Sequence, residues 1–406
     1  MSSAFRSLRI FNYRVWAGGA IVSNVGTWMQ RTAQDWVVLT QLTHHNATAV
    51  GVVVGLQFAP QVLLLPVTGF AADHLDRRKL LIATQAGMGV LALALGVLLL
   101  SGVAKLWQVD VLAFLSGCVG AFDAPARQTF VSDLVAEGDL SNAVALNSTS
   151  FNAARLIGPA LAGVAIAAVG SGWVFIINAA SFAAVIGSLC LLRLHELRPT
   201  DRAVRRRGGL ADGVRYVWAR PDLKAMMLMI FLTGTFGFNF PIFVSTMSVS
   251  VFRVGSDRFG LLTSLMAVGS VMGAFLSARR ERPRISLLFV GSAVFGGGLT
   301  LAALAPGYWW FGAALALVGL ASQTFNTTLN ATVQLSTDPV MRGRVMAILL
   351  AVALGGAPIG APIVGWVADT FGPRWALGVG AASGFASAVV AALYLRKHGR
   401  GEVANA

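Results

Sequence analysis

Three acids and two arginines stand inside runs of apolar residues in this 406-residue chain: Asp35, Asp110, Asp123, Arg31 and Arg155. A charge in hydrocarbon is costly, so each must face a cavity, a partner or a ligand. A carboxyl group so placed can take up and release a proton as its surroundings alternate, and a guanidinium can hold an anion. Arg31 and Asp35 are four residues apart and share a helical face with Asn24, Thr27, Trp28 and Gln34. That face should line a cavity, with a static ion pair as the equal alternative. Asp35, helped by Arg31, is therefore the expected proton or substrate site. Asp123 and Arg127, also four apart, form the expected charge relay, and a fixed surface pair is its alternative. No acid of this kind stands in the second half of the chain, which leaves proton coupling open.

Other chemistry finds no support. No nucleophile, base and orienting group stand together, so an enzyme is not expected. Without a Walker loop or a dinucleotide-binding glycine pattern, ATP is not a direct driver, and no cofactor is expected. The five histidines make no metal-binding pattern, and Cys118 and Cys190 both lie in apolar segments, so neither a metal site nor a disulfide is foreseen.

The elements that position these groups follow from composition. With 56% hydrophobic and 12% charged residues and 45 glycines, most of the chain must sit in lipid. Hydropathy divides it into about twelve segments of roughly 20 residues with short connections. The net charge of +14 does not mark a nucleic-acid binder, because the basic residues fall in alternate loops rather than on one domain. About 25 of the 31 Lys and Arg lie at the N-terminus, in the even-numbered connections and at the C-terminus. Both termini are therefore expected in the cytoplasm, in a multi-pass protein of the cytoplasmic membrane. Residues 1–14, basic before an apolar run, are read as the start of an uncleaved first helix.

The first helix is expected over about Tyr13 to Leu39, and the second over about Thr48 to Ala72. In the second, Gln57 and Gln61 are cavity candidates, with helix-to-helix hydrogen bonds as the alternative. It ends in a charged turn, Gly69-Phe-Ala-Ala-Asp73-His-Leu-Asp-Arg77-Arg78-Lys79. The fourth helix ends in Phe122-Asp123-Ala-Pro125-Ala-Arg127. The fifth contains Ala154-Arg155-Leu-Ile-Gly158-Pro159-Ala-Leu-Ala162-Gly163. Between Arg193 and Lys224 nine Lys or Arg mark a cytoplasmic linker, in which Leu210 to Arg220 can form a surface helix with Val214, Val217 and Trp218 toward lipid. A six-helix half over 1–195, a basic linker over 196–221 and a second half over 222–406 result. The spacing from Phe122 to Pro159 recurs from Phe325 to Pro362, 37 residues in each case, as an internal duplication would give. The second half offers Asn239 beside Phe240-Pro241 and a polar stripe of Gln323, Asn326, Thr327, Asn330 and Gln334. A cytoplasmic turn carries Arg342 and Arg344, and a small-residue helix runs from Gly355 to Gly365.

The spacing of Gly69, Asp73, Arg77 and Arg78 resembles the loop between the second and third helices of major facilitator superfamily transporters; a plain positive-inside anchor is the alternative. Gly158, Pro159 and Gly163, with Arg155, resemble the superfamily's antiporter signature, with Ala for Gly at 154 and 162. A packing kink would read the same. Taken with Phe122 to Arg127 and Arg342-Gly343-Arg344, the chain looks like the branch that contains enterobactin exporters and macrolide efflux proteins. The resemblance implies an all-α membrane protein with twelve transmembrane helices in two pseudo-symmetric six-helix bundles, working as a monomer by alternating access. It further implies export of a small organic molecule against inward proton flow, with Asp73 facing the N-terminus of the eleventh helix as a latch. Arg31, Arg155 and the amides suit a largely apolar substrate with polar or anionic groups, such as a siderophore, macrolide or lysolipid. The alternatives are a proton-independent facilitator or lysolipid flippase, and a membrane sensor that moves nothing.

Overall fold

In lipid every backbone N–H and C=O must be satisfied within its own segment, and the long apolar runs of this chain accordingly fold as helices. The computed structural model describes residues 3–65, 67, 68, 71, 75–197, 210–278 and 285–398. Fifteen α-helices follow one another, with no strand among the described residues. They are α1 (Phe11–Val37), α2 (Ala47–Leu63), α3 (Arg77–Leu100), α4 (Leu106–Leu134), α5 (Glu137–Val169), α6 (Ser171–Cys190), α7 (Leu210–Ala219) and α8 (Pro221–Leu232). After them come α9 (Phe240–Thr246), α10 (Ser256–Ala278), α11 (Ile285–Leu304), α12 (Tyr308–Ser336), α13 (Arg342–Gly355), α14 (Ala357–Phe371) and α15 (Pro373–His398). Nine helical stretches among the described residues are long and apolar enough to cross a membrane. Two of these are composite: Pro221–Val251 joins α8 and α9, and Arg342–Phe371 joins α13 and α14. The other three expected spans correspond to α1 and α12, which carry the polar stripes, and to the shorter apolar helix α2.

The seventh span is broken for identifiable reasons. Pro241 brings no N–H to a helical ladder, and the turns Thr233–Gly237 and Met247–Val251 widen to π geometry, closed by Phe238 N to Thr233 O and Phe252 N to Met247 O, each at 2.9 Å.

The chain divides into two units. Unit 1 comprises Met1–His44, Leu56–Arg205 and Val254–Ser264. Unit 2 comprises His45–Gly55, Arg206–Arg253 and Leu265–Ala406. Each is one half of the sequence with a short segment of the other. In unit 1 the core gathers Tyr13, Trp16, Phe130, Leu134 and Leu189. There α1 and α5 run parallel with a steady offset: the Tyr13 hydroxyl donates to the Ala143 carbonyl at 2.8 Å, 130 residues on, and Trp28 lies against Gly158, again 130 on. A methyl at Gly163 would strike the Ser256 carbonyl at the start of α10. Unit 2 repeats this crossing with its own residues, since a methyl at Gly365 would strike the Ala47 carbonyl at the start of α2. Its core holds Leu223, Met226, Leu288, Phe325, Leu329 and Val345. Val217 of α7 joins that core at 3% exposure instead of facing lipid, whereas Val214 and Trp218 stay exposed. One flank of this ten-residue helix packs on protein, and only the other is free.

Candidate functional site

Buried Asp123 is the centre of a network joining α1, α3 and α4. Its Oδ1 accepts from Thr84 Oγ1 at 2.8 Å and Gln85 Nε2 at 2.6 Å, and its Oδ2 from Arg127 Nε at 3.1 Å. Arg127 in turn donates from Nη1 to Asn24 Oδ1 at 3.0 Å. An i, i+4 pair in the second half of α4 thus has its charges matched and its lone pairs filled, which is what a buried ion pair needs to repay its desolvation. The structure brings Asn24, Asp123 and Arg127 together; Thr84 and Gln85, the two donors on α3, carry no charge and so gave no signal in the sequence.

The expected gate lies in part outside the described residues, which exclude Gly69 and Asp73. Its basic end is described. Arg77 Nη1 pairs with Asp133 Oδ1 at 2.7 Å, and Arg78 Nε donates to the Leu189 carbonyl at 2.8 Å. Asp133, in the last turn of α4, is the acid that answers the loop, a place where charge is ordinary and spacing alone does not single it out. Another acid missed in the sequence is Asp369, near the end of α14. Its carboxylate accepts from Ala47 N at 2.7 Å, Thr48 N at 2.8 Å and Thr48 Oγ1 at 2.6 Å, so it caps the N-terminus of α2 within unit 2. The capping of one span by an acid of another had been expected of Asp73 at the eleventh helix; the cap described here joins the eleventh to the second.

Arg31 lies over the Trp28 ring, 5.1 Å from its centroid. Neither the Asp35 nor the Arg155 side chain takes part in a hydrogen bond or ion pair among the described residues, and both residues are half-buried. The Arg31–Asp35 contact considered above is therefore not made here. Asp110 is also half-buried, and its Oδ1 has no partner among the described residues. On α5, Gly158 abuts Trp28, Phe151 meets the Trp28 ring edge-on at 5.9 Å, and the Pro159 carbonyl and Gly163 pack on Gly260. Gln57 and Gln61 on α2 are half-buried and hydrogen-bond to nothing described.

In unit 2 the candidates are engaged locally. Asn239 donates from Nδ2 to the Thr235 carbonyl at 2.8 Å, bracing the break in the seventh span. Along α12, Gln323 Nε2 donates to Thr327 Oγ1 at 3.2 Å, and Asn330 Nδ2 to Asn326 Oδ1 at 2.8 Å. The stripe satisfies itself one helical turn at a time. Arg342 is exposed, while Arg344 approaches Asp212 of α7 at 3.9 Å. The neighbouring Arg220 is held above its ordinary pKa, chiefly by its hydrogen bond to Asp222. Among the described residues no group of three or more His, Cys, Asp or Glu could hold a metal.

Comparison with known proteins extends this picture. A family model described as "Transmembrane secretion effector" matches residues 2–403. The staphyloferrin A transporter of Staphylococcus aureus is 27% identical over 352 residues, 86% of this chain and 87% of that one. The multidrug efflux pump Tap of Mycolicibacterium fortuitum is 25% identical, covering 87% and 88%. The enterobactin exporter EntS of Shigella flexneri is 26% identical, covering 88% and 85%. Among solved structures, a bacterial homologue of the human lysosomal transporter Spinster superposes with a TM-score of 0.71 at 15% identity over 95% of each chain. The nucleoside transporter NupG does so with 0.72 at 12% identity over 94% and 98%. At such identities the structural likeness speaks for the fold alone.

Proposed function

Because the chain belongs to the transmembrane secretion effector family of the major facilitator superfamily, we propose that it exports a small organic molecule across the cytoplasmic membrane by alternating access, in exchange for protons. Two six-helix halves, 1–195 and 222–406, alternate about a site reached from each side in turn, with both termini in the cytoplasm. The observation that carries the proton half of this reading is the contrast between two acids. Asp123 is filled by Thr84, Gln85 and Arg127, whereas the Asp35 carboxylate has no hydrogen-bond or ion-pair partner among the described residues. A carboxylate free of fixed donors can change protonation as access alternates without first dismantling a network. Asp35 is thus the proton carrier, Arg31 tunes it from one turn away, and the Asp123–Arg127 pair is the charged joint between α1, α3 and α4.

The test is substrate-dependent proton movement in proteoliposomes holding a pH-sensitive dye, with siderophores, macrolides and lysolipids supplied in turn. Proton flux appears with one of these in the parent protein and disappears in Asp35→Asn, which still binds the ligand. A ligand that crosses without protons, equally in both proteins, replaces antiport by a facilitator or a lysolipid flippase. A chain that moves none of them is a sensor.

A further inference from the structure

The arginines within the spans of unit 1 differ in how their charge is met. Arg127 has Asp123 and Asn24. Arg31 lies over Trp28 with Asp35 one helical turn further along α1. Arg155 has nothing of the kind among the described residues, although it stands well inside the 33-residue helix α5.

Its direction follows from the helix register. Counted from Gly158 at about 100° per residue, Phe151 stands at about 20°, Arg155 at about 60° and Gly163 at about 140°. Gly158 and Phe151 face α1, and Gly163 faces the first turn of α10, which also belongs to unit 1. Arg155 therefore projects between the side of α5 packed on α1 and the side packed on α10, next to Phe151, which stays 45% exposed. The opposite side of α5 is the one marked by the exposed Ile157, Leu161 and Val164. The guanidinium cannot reach lipid headgroups by running along that outer surface.

No acid among the described residues forms an ion pair with it. With the offset of 130 residues between α1 and α5, Arg155 is level with Val25, ten residues or about 15 Å short of Asp35 along the axis. Asp123 is turned to Thr84, Gln85 and Arg127. Trp28 stands three residues beyond the level of Arg155, and Phe151, level with Ile21, stands four residues before it, so the edge-to-face pair of rings spans that level.

We propose that Arg155 holds the carboxylate of an organic anion whose aromatic or apolar body lies along Trp28 and Phe151. The inference deepens the export reading by naming the substrate class, and it rests on that reading only for the step after binding. A bidentate guanidinium–carboxylate contact fixes the head of the molecule, and the two rings accept its body with little regard to shape.

The test is equilibrium binding to the full chain in lipid nanodiscs with no pH gradient, so its failure is separate from that of proton coupling. The probes are dansylglycine and its uncharged twin, dansylglycinamide, followed by dansyl fluorescence. The parent protein binds the acid about ten- to a hundred-fold more tightly than the amide. Arg155→Gln removes that preference and leaves the affinity for the amide unchanged, Arg155→Lys retains part of it, and the exposed Arg342→Gln retains all of it. Equal affinity for the two probes in the parent, failure of both to bind, or a preference that survives Arg155→Gln overturns the proposal. The comparison of the two probes in the parent needs no variant, so a poorly folding substitution does not obstruct it.

Discussion

Asp123 shows at the scale of a single residue how an acid in the bilayer can be either a structural joint or a working group. Removing it by Asp123→Ala leaves the Arg127 charge unpaired and Thr84 and Gln85 without their shared acceptor, a loss of about 3–5 kcal/mol. Thermal unfolding in detergent should register this as a marked fall in Tm, and Arg127→Leu in the same chain should recover part of it, the coupling a double-mutant cycle measures. Glycines sort in the same way. Gly163→Val drives a side chain into the Ser256 carbonyl and should destabilise the protein, while Gly120→Ala, with open space around it, should leave Tm unchanged. Of these groups the sequence made the charged ones legible, because a charge inside an apolar run has to be explained. Thr84, Gln85 and Asp133 were not legible. The first two are neutral residues in a membrane helix, and the third sits where acids are common, so only the folded chain reveals what each one touches.

At the scale of the element, helices were read well where apolarity was continuous and less well where it was interrupted. In the sequence the seventh span is one apolar segment, with Asn239 beside Phe240-Pro241 inside it. In the structure it is two α-helical pieces separated by a π turn, because a missing N–H and a widened turn leave no signature in hydropathy. The short helix α7 was foreseen, but the burial of Val217 was not: its flank is set by the neighbouring core, which period alone does not show. The cap on α2 belongs to this scale too. Asp369→Asn keeps the shape but removes the charge that serves two backbone N–H groups and the Thr48 hydroxyl. Hydrogen exchange at the amides of residues 47 and 48 should quicken several-fold in this variant, with no change along α15. Unaltered exchange at those amides would mean that water replaces the carboxylate at no cost.

For the whole molecule, the long apolar runs made a multi-pass helical membrane protein legible in the sequence, the 37-residue spacing shared by the two halves pointed to a duplication, and the resemblance of the charged turns supplied the fold class. What they could not carry was the exchange of short segments that puts 45–55 with unit 2 and 254–264 with unit 1, since it depends on backbone contacts at Gly51, Gly163, Gly260 and Gly365. The placement of aromatics offers a check on the bilayer itself. Trp309 and Trp310 at the start of α12, Trp366 in α14 and Trp375 at the start of α15 are all strongly exposed. They lie beside the odd-numbered connections of unit 2, where indole rings favour the headgroup level. Lipids brominated near the headgroup should quench this fluorescence more than lipids brominated near the chain end, and Trp309→Phe with Trp310→Phe should remove a large part of the difference. Deep quenching as strong as shallow quenching would contradict that depth.

The wide turn at Thr233–Gly237 has a bearing on how this chain tolerates changes in length. A π turn holds one residue more than an α-helix needs between the same two flanks, so the surplus can be removed without rotating either flank. Deleting Thr233 should let the ladder close as ordinary α-helix and leave a folded protein, whereas deleting one residue from the middle of α15 turns every later side chain by about 100° and should abolish expression. Single-residue gaps between this protein and its relatives are then expected to gather at Thr233–Gly237, at Met247–Val251 and at the π turn Val38–Leu42 that follows α1. Spare residues at these turns give the first and seventh spans a way to change length while the rest of the chain stays in step.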